Sequence, residues 1–229
     1  MNTKLIPYLK LARLSNSPTV ASNVLTGSAL AGILTPNLIV FWLTIAMIAF
    51  YSAGMYLNDL VDLNYDKKHN PDRLLPKGAV KPSHAAIIMT ILFTFGSILL
   101  WRIGTGVFLA GLALIILIGI YNLWHKQNPI SPLLMAGCRV LVYAIAFFAF
   151  AQSLNNTVFL VGFFLVLYMI GLTYVAKKGA RGKIIALLIA GISLYDAFIL
   201  SIIGSIPGAI LATICFITTL YLQKYIKGA

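Results

Sequence analysis

Eight apolar stretches dominate the chain: 16–35, 38–57, 83–101, 105–123, 131–152, 156–175, 184–203 and 206–223. Each approaches or exceeds the roughly 18–20 residues a helix needs to cross a bilayer. In hydrocarbon every backbone polar group must be satisfied within the protein, so such a chain folds as a helix bundle. The expected fold is all-α: a polytopic membrane bundle of about eight transmembrane helices, forming a single domain over residues 1–229. Only 10% of the residues are charged, too few to coat a water-soluble domain of this size. The first stretch carries Asn16, Asn23 and Gly27 and no cleavage site before the next, so it reads as a span and not as a secretory leader.

The bases fix an orientation. With eight spans, one face carries the N-terminus, segments 58–82, 124–130 and 176–183, and the C-terminus. These hold 15 of the 17 Lys and Arg, from Lys4 and Lys126 to Lys227. Arg102 falls on the other face and Arg139 inside a span. The positive-inside rule then puts both termini in the cytoplasm, and a bacterial inner membrane is the expected location. Orientation and attraction to anionic lipid account for the +12 charge, so membrane lipid is the expected partner and nucleic acid is not. Cys138 and Cys215 fall in spans and read as small core residues.

Segments 58–82 and 176–183 are both basic and hold equivalent places in two four-span halves, which points to two related halves with these loops over one central cavity. Pro18, Pro129, Pro132 and Pro207 fall near helix starts, where proline is tolerated. Gly104, Gly106 and Gly111 would permit close helix packing.

All five carboxylates are aspartates, and Asp59, Asp62, Asp66 and Asp72 lie within fourteen residues. On a helix turning about 100° per residue, Asp62 lies about 60° from Asp59, Asp66 about 20° and Asn58 about 100°, all to the same side. Three carboxylates on one face repel unless a cation neutralises them. Hard oxygen ligands suit magnesium, which keeps several waters and takes one or two carboxylates plus substrate phosphates. Lys67, Lys68, Arg73, Lys77 and Lys81 follow, and aspartate-held magnesium beside such bases outlines a diphosphate site. A solvated helix held by its own charge pairs would need a base three or four residues after each aspartate. Those places hold Asp62 and Leu63, Tyr65 and Asp66, and His69 and Asn70.

Asn58-Asp59-x-x-Asp62-x-x-x-Asp66, followed by Arg73-Leu-Leu-Pro76-Lys77-Gly78, resembles the first signature of the UbiA family of intramembrane prenyltransferases. The likeness extends to Arg13-Leu-Ser-Asn16-x-Pro18-Thr19-x-x-x-Asn23, to Tyr121-Asn122 and to Pro132-Leu-Leu-Met135-Ala-Gly-Cys138-Arg139, and so covers most of the chain. It implies a helical fold with a membrane-embedded cavity capped by two cytoplasmic loops. It also implies transfer of an isoprenoid from its diphosphate to an acceptor, often an aromatic ring. Carried over by position, Asn58, Asp59, Asp62 and Asp66 would hold magnesium and the diphosphate, with the three aspartates and Lys77 as the catalytic set. Arg73 and Lys77 would bind phosphate oxygens, and Arg139 would point into the cavity. Two departures stand out. Eight spans are counted where the family has nine, and Thr173-Tyr174-Val-Ala-Lys177-Lys178-Gly-Ala-Arg181-Gly-Lys183 has no carboxylate where the family carries a second aspartate cluster. Lys177 and Lys178, beside Tyr174, would then touch the diphosphate directly in place of a second magnesium.

Polar side chains inside spans are costly, so each is a candidate. Arg139 either faces an anion in the cavity or pairs with Asp196. Asp196 is that partner, contacts an acceptor or accepts a proton. Asn16 and Asn23, seven apart on one face, contact substrate or bond to a neighbouring helix. Tyr121 contacts substrate or anchors the interface. His69, His84 and His125 have no metal-ligand company. The expected function is magnesium-dependent transfer of a prenyl group from a prenyl diphosphate to a hydrophobic, aromatic acceptor. The alternative is a non-catalytic binding or transport protein for a lipid diphosphate or aromatic precursor. A CDP-alcohol phosphatidyltransferase would need Asp-Gly-x-x-Ala-Arg, which the chain lacks. A cation transporter would carry its carboxylates near the bilayer midplane.

Overall fold

A computed structural model of the chain describes residues 5–124, 128, 130–151 and 155–226. Lys4, His125, Lys126, Pro129 and Lys227 lie outside the described residues. All regular elements among the described residues are helical: α1 (Ile6–Leu11), a 3-10 turn (Leu14–Asn16), α2 (Pro18–Leu30), α3 (Leu38–His69), α4 (Pro82–Ile103), α5 (Thr105–Trp124), α6 (Ser131–Phe148), α7 (Asn156–Lys177), α8 (Gly182–Ile202) and α9 (Ile206–Tyr225). Seven of them, α3 to α9, are long and apolar enough to cross a membrane. The chain is an integral, multi-pass membrane protein.

The first apolar stretch departs from expectation. Residues 16–35 form a helix only over Pro18–Leu30, about 20 Å at 1.5 Å per residue, against a hydrocarbon core of about 30 Å. Proline starts α2, and a turn through Gly32 at φ 92° ends it. Seven helices thus have the length of full spans, and α2 is a shorter eighth that, with its flanks, still runs between the two ends of the bundle, from Arg13 beside Asp59 to Leu34, whose carbonyl accepts from Ser205 between α8 and α9. α2 packs against α3, α6, α8 and α9 and is buried at ten of its 13 positions. Ser22, Asn23 and Thr26 form a polar stripe that would be costly against lipid and is satisfied by Ser193 and Asp196 of α8. Gly27 lets α2 approach α6, since a Cβ there would sit 2.5 Å from the Tyr143 carbonyl oxygen.

Segment 58–82 is not all loop. α3 continues to His69, with no Gly or Pro after Leu57 to stop it. Leu60 and Leu63 pack into a cluster with Leu11, Tyr56, Leu74 and Leu75. The helix ends at Asn70, whose φ of −139° reflects the bar on helical backbone before Pro71. The acidic cluster thus rides on a continuous helix. Pro18 and Pro82 start helices, and Pro132 and Pro207 sit in first turns. Of the expected packing glycines, Gly111 faces Leu100 and Phe50, whereas Gly106 meets nothing within 4 Å. Cys138 and Cys215 are free thiols.

Candidate active site

Asp59, Asp62 and Asp66 are at most 5% exposed, whereas Val61 and Tyr65 between them are 39% and 47% exposed. The three carboxylates therefore share the inward face of α3. Their bases come from outside the helix. The Arg73 guanidinium donates to Asp66 Oδ2 at 2.6 Å and lies 3.9 Å from Asp59 Oδ1. Arg13 lies 3.9 Å from the same Asp59 oxygen. Asn70 Nδ2 donates to Asp66 Oδ1 at 3.0 Å. Burial weighs against charge on Arg73, but the hydrogen bond to Asp66 and the Asp59 and Asp62 carboxylates outweigh it and hold its pKa above the ordinary value. Arg13, at φ 45°, is the non-glycine residue with positive φ among those described, a strained backbone of the kind held at functional sites.

A cavity of about 220 Å³ opens beside the cluster. Asn16, Asn58, Tyr121 and Asn122 contribute polar groups to its lining, while Met47, Phe50, Leu114, Val142 and Ile192 make much of the rest apolar. Asn58 Nδ2 donates to Asn122 Oδ1 at 2.9 Å, and Asn122 Nδ2 donates to the Ile118 carbonyl at 2.8 Å. Asn16 Oδ1 accepts from Gln223 Nε2 at 3.0 Å, and the Tyr121 hydroxyl faces Met135 Sδ at 3.9 Å. Arg139 lines the cavity, donates to Asn23 Oδ1 at 2.9 Å and lies 5.6 Å from the centre of the Tyr51 ring.

Asp196 is fully buried and does not line the cavity. It accepts hydrogen bonds from Ser22 at 2.5 Å, Asn23 at 2.8 Å, Thr26 at 3.0 Å and Tyr143. Among the described residues Arg139 and Asp196 form no direct ion pair; Asn23 stands between them.

The structure therefore brings Asn16, Asn58, Asp59, Asp62, Asp66, Arg73, Tyr121 and Arg139 around one cavity and its acidic rim, with Asn23 and Asp196 behind the wall. Lys77, Tyr174, Lys177 and Lys178 are exposed and line no part of it. The Lys178 ammonium instead rests over the Tyr174 ring, 4.6 Å from its centre. Sequence reasoning missed Arg13, Asn122 and Tyr51 as site residues. Arg13 and Asn122 had a signal, since each lies within a stretch carrying the family likeness. Tyr51 had none.

The model of the UbiA prenyltransferase family matches residues 20–227. The chain belongs to the UbiA prenyltransferase family. This UbiA-family chain is 28% identical over 119 residues to a digeranylgeranylglyceryl phosphate synthase of Methanospirillum hungatei JF-1, a match covering 51% of the chain and 41% of the relative. It is 29% identical over 133 residues to the synthase of the same description from Sulfurisphaera tokodaii, covering 56% and 47%. The match thus spans less than half the length of each relative. Among solved structures, one of a digeranylgeranylglyceryl phosphate synthase superposes with TM-score 0.64 at 16% identity, covering 97% of this chain and 95% of that one. A UbiA homologue from Archaeoglobus fulgidus bound to DMAPP and Mg2+ gives 0.63 at 15% identity, covering 95% and 85%. At such identities these likenesses speak for the fold.

The donor set of this UbiA-family chain fits magnesium. Asp59 Oδ1 is buried and accepts no hydrogen bond among the described residues, an orphaned anionic oxygen of the kind a cation satisfies. No three His, Cys, Asp or Glu among the described residues are grouped to hold a metal alone. Magnesium does not need that, because substrate phosphates and water complete its shell. Asp66 is already held by Arg73 and Asn70, whereas Asp59 Oδ1 accepts no hydrogen bond among the described residues.

Proposed function

We propose that this UbiA-family chain transfers a prenyl group from a prenyl diphosphate to a hydrophobic, aromatic acceptor within the membrane. The observation that carries this is the set of three buried carboxylates on one face of α3, with Arg13 and Arg73 each 3.9 Å from Asp59, beside a largely apolar cavity. The relatives' description as digeranylgeranylglyceryl phosphate synthases, and the structure of a homologue bound to DMAPP and Mg2+, support the transfer of a prenyl group from its diphosphate; the aromatic acceptor rests on the family resemblance. Asp59 and Asp62, with the Asn58 amide, would hold magnesium. When bound, magnesium draws electron density from the diphosphate oxygens and makes the group a better leaving group.

The chain's own residues do the remainder. Arg13 and Arg73 receive negative charge on the departing diphosphate, and guanidinium groups suit phosphate oxygens. Asn122 fixes the Asn58 amide through the 2.9 Å hydrogen bond. The bond between the prenyl C1 and the diphosphate oxygen breaks, with its electron pair leaving on oxygen; an electron-rich atom of the acceptor bonds to C1 and then gives up its proton, for which the released diphosphate is a base. Phe50 and Tyr51 line the cavity, and aromatic rings in its wall suit positive charge on the allylic fragment. The concentration of bases on one side of the bundle supports a cytoplasmic acidic cluster and cytoplasmic termini.

The test is turnover in reconstituted vesicles with short and long prenyl diphosphates and a panel of phenolic and lipid acceptors. Magnesium-dependent prenylated product is expected, ceasing on chelation and returning with added magnesium. A second reading, binding or transport without chemistry, is favoured by one observation. Segment 176–183 carries no carboxylate, and its lysines line no part of the cavity. Tight prenyl diphosphate binding without product across the whole panel would select that reading.

A further inference from the structure

Gln223 lies near the C-terminal end of α9, beside the exposed Lys224 and Tyr225. It does not extend to water as they do. α9 packs against the 3-10 turn Leu14–Asn16, and there Gln223 Nε2 donates to Asn16 Oδ1 at 3.0 Å. Its Oε1 is buried without a hydrogen-bond partner among the described residues. A buried, unpaired amide oxygen costs stability that a leucine at this place would not. What the glutamine adds in return is the bond to Asn16.

Asn16 is tied in turn to Arg13. Its backbone N–H donates to the Arg13 carbonyl at 2.9 Å, and its own carbonyl accepts from Thr19 Oγ1 at 2.7 Å. Arg13 stands in left-handed backbone, at φ 45° and ψ 43°, which a residue with a Cβ holds only where its surroundings impose it. On the other flank the Tyr56 hydroxyl of α3 donates to the Tyr8 carbonyl of α1 at 2.9 Å. Arg13 therefore sits between two anchors, one from α3 and one from α9. Its guanidinium meets Asp59 at 3.9 Å, beyond hydrogen-bond length, so Asp59 alone does not fix its aim. Its Nε is buried with no hydrogen bond among the described residues, a donor left for an incoming oxygen. Asn16 also lines the cavity. With its oxygen engaged by Gln223, its amide has N–H donors left, the polarity an anionic ligand takes.

We propose that Gln223 is a positioning residue for the diphosphate: through Asn16 it holds the left-handed turn that aims Arg13 at the acidic rim. This rests on the prenyl diphosphate reading of that rim. It makes α9 part of the site, although Gln223 does not line the cavity.

The experiment titrates geranyl diphosphate plus magnesium into the purified full chain in lipid nanodiscs, for wild type, Gln223→Met, Arg13→Gln and the double variant. Methionine keeps the length of the side chain and removes the amide; Gln223→Leu repeats the test should the first variant not fold. Gln223→Met is expected to bind about three- to tenfold more weakly, the scale of one hydrogen bond, with its ligand-free thermal midpoint unchanged. In the Arg13→Gln background the same change is expected to cost less than about twofold, because its effect passes through Arg13. Lys224→Gln, exposed beside it, should stay within about twofold of wild type. Wild-type affinity in Gln223→Met overturns the proposal, whether or not the midpoint falls. So does an equal loss in both backgrounds. A second readout needs no ligand: the rate at which phenylglyoxal modifies Arg13, followed by peptide mass spectrometry, is expected to change at least about threefold in Gln223→Met. If wild type binds no geranyl diphosphate, the prenyl diphosphate reading fails, whereas an unchanged modification rate at Arg13 overturns the positioning role by itself.

Discussion

Replacing Asp59 with alanine is expected to slow magnesium-dependent diphosphate release by about 10²–10³-fold, the scale of losing one preorganised charge-stabilising group. Asp59 carries the buried oxygen that lacks a hydrogen-bond donor, and both Arg13 and Arg73 approach it. Removing it takes away a metal ligand and leaves two arginines sharing less negative charge. Arg73 keeps its 2.6 Å bond to Asp66, so the turn after α3 should stay in place and the loss should be one of rate. Asp59→Asn, which keeps shape and removes charge, should be nearly as slow. Asp72→Ala is the control: Asp72 is exposed and outside the cluster, and its rate should stay within about twofold. Pyrophosphate release in reconstituted vesicles gives all three rates. Equal rates for Asp59→Ala and wild type would remove the cluster from the chemistry.

The second large effect is on stability. Asp196→Leu should destabilise the bundle by about 2–5 kcal/mol, because it strands the donors of Ser22, Asn23, Thr26 and Tyr143 where no water replaces the carboxylate. Interhelical hydrogen bonds in membranes average only about 0.6 kcal/mol each, so the lower end of the range reflects four lost bonds and the upper end the unsatisfied groups left behind. Asp196→Asn keeps acceptor oxygen and should cost less. Thermal unfolding in detergent, compared with yield of folded protein, reads both. An unchanged midpoint for Asp196→Leu would mean that the network does not hold α2 to α8.

The acidic face was legible because it depends on local periodicity alone: Asp59, Asp62 and Asp66 fall together on any helix, and α3 is one. The absence of bases three or four residues on also read correctly, since the ion pairs reach to Arg73 and Arg13. Its continuation to His69 was only half legible. Charged residues after Leu57 look like loop, yet nothing there breaks a helix before Asn70-Pro71. α2 is shorter than its apolar stretch because hydropathy does not see that a Pro and a Gly turn cut the twenty residues to a helix of 13. The Asn23–Asp196 contact joins residues 173 apart in sequence, and Arg13 reaches the site through a backbone conformation that composition does not announce. Lys177 and Lys178 fit a basic loop over the cavity, but their placement is tertiary: neither lines it, and Lys178 rests over the Tyr174 ring.

If the acidic face of α3 binds a prenyl diphosphate through magnesium, the affinity must depend on both the metal and the aspartates. Titrating geranyl diphosphate into the nanodisc-embedded chain, with and without magnesium, tests it for wild type and for Asp59→Ala combined with Asp62→Ala. Magnesium-dependent binding is expected in wild type, and at least about tenfold weaker binding in the double variant. Equal affinity in the two chains, or wild-type affinity indifferent to magnesium, would contradict it.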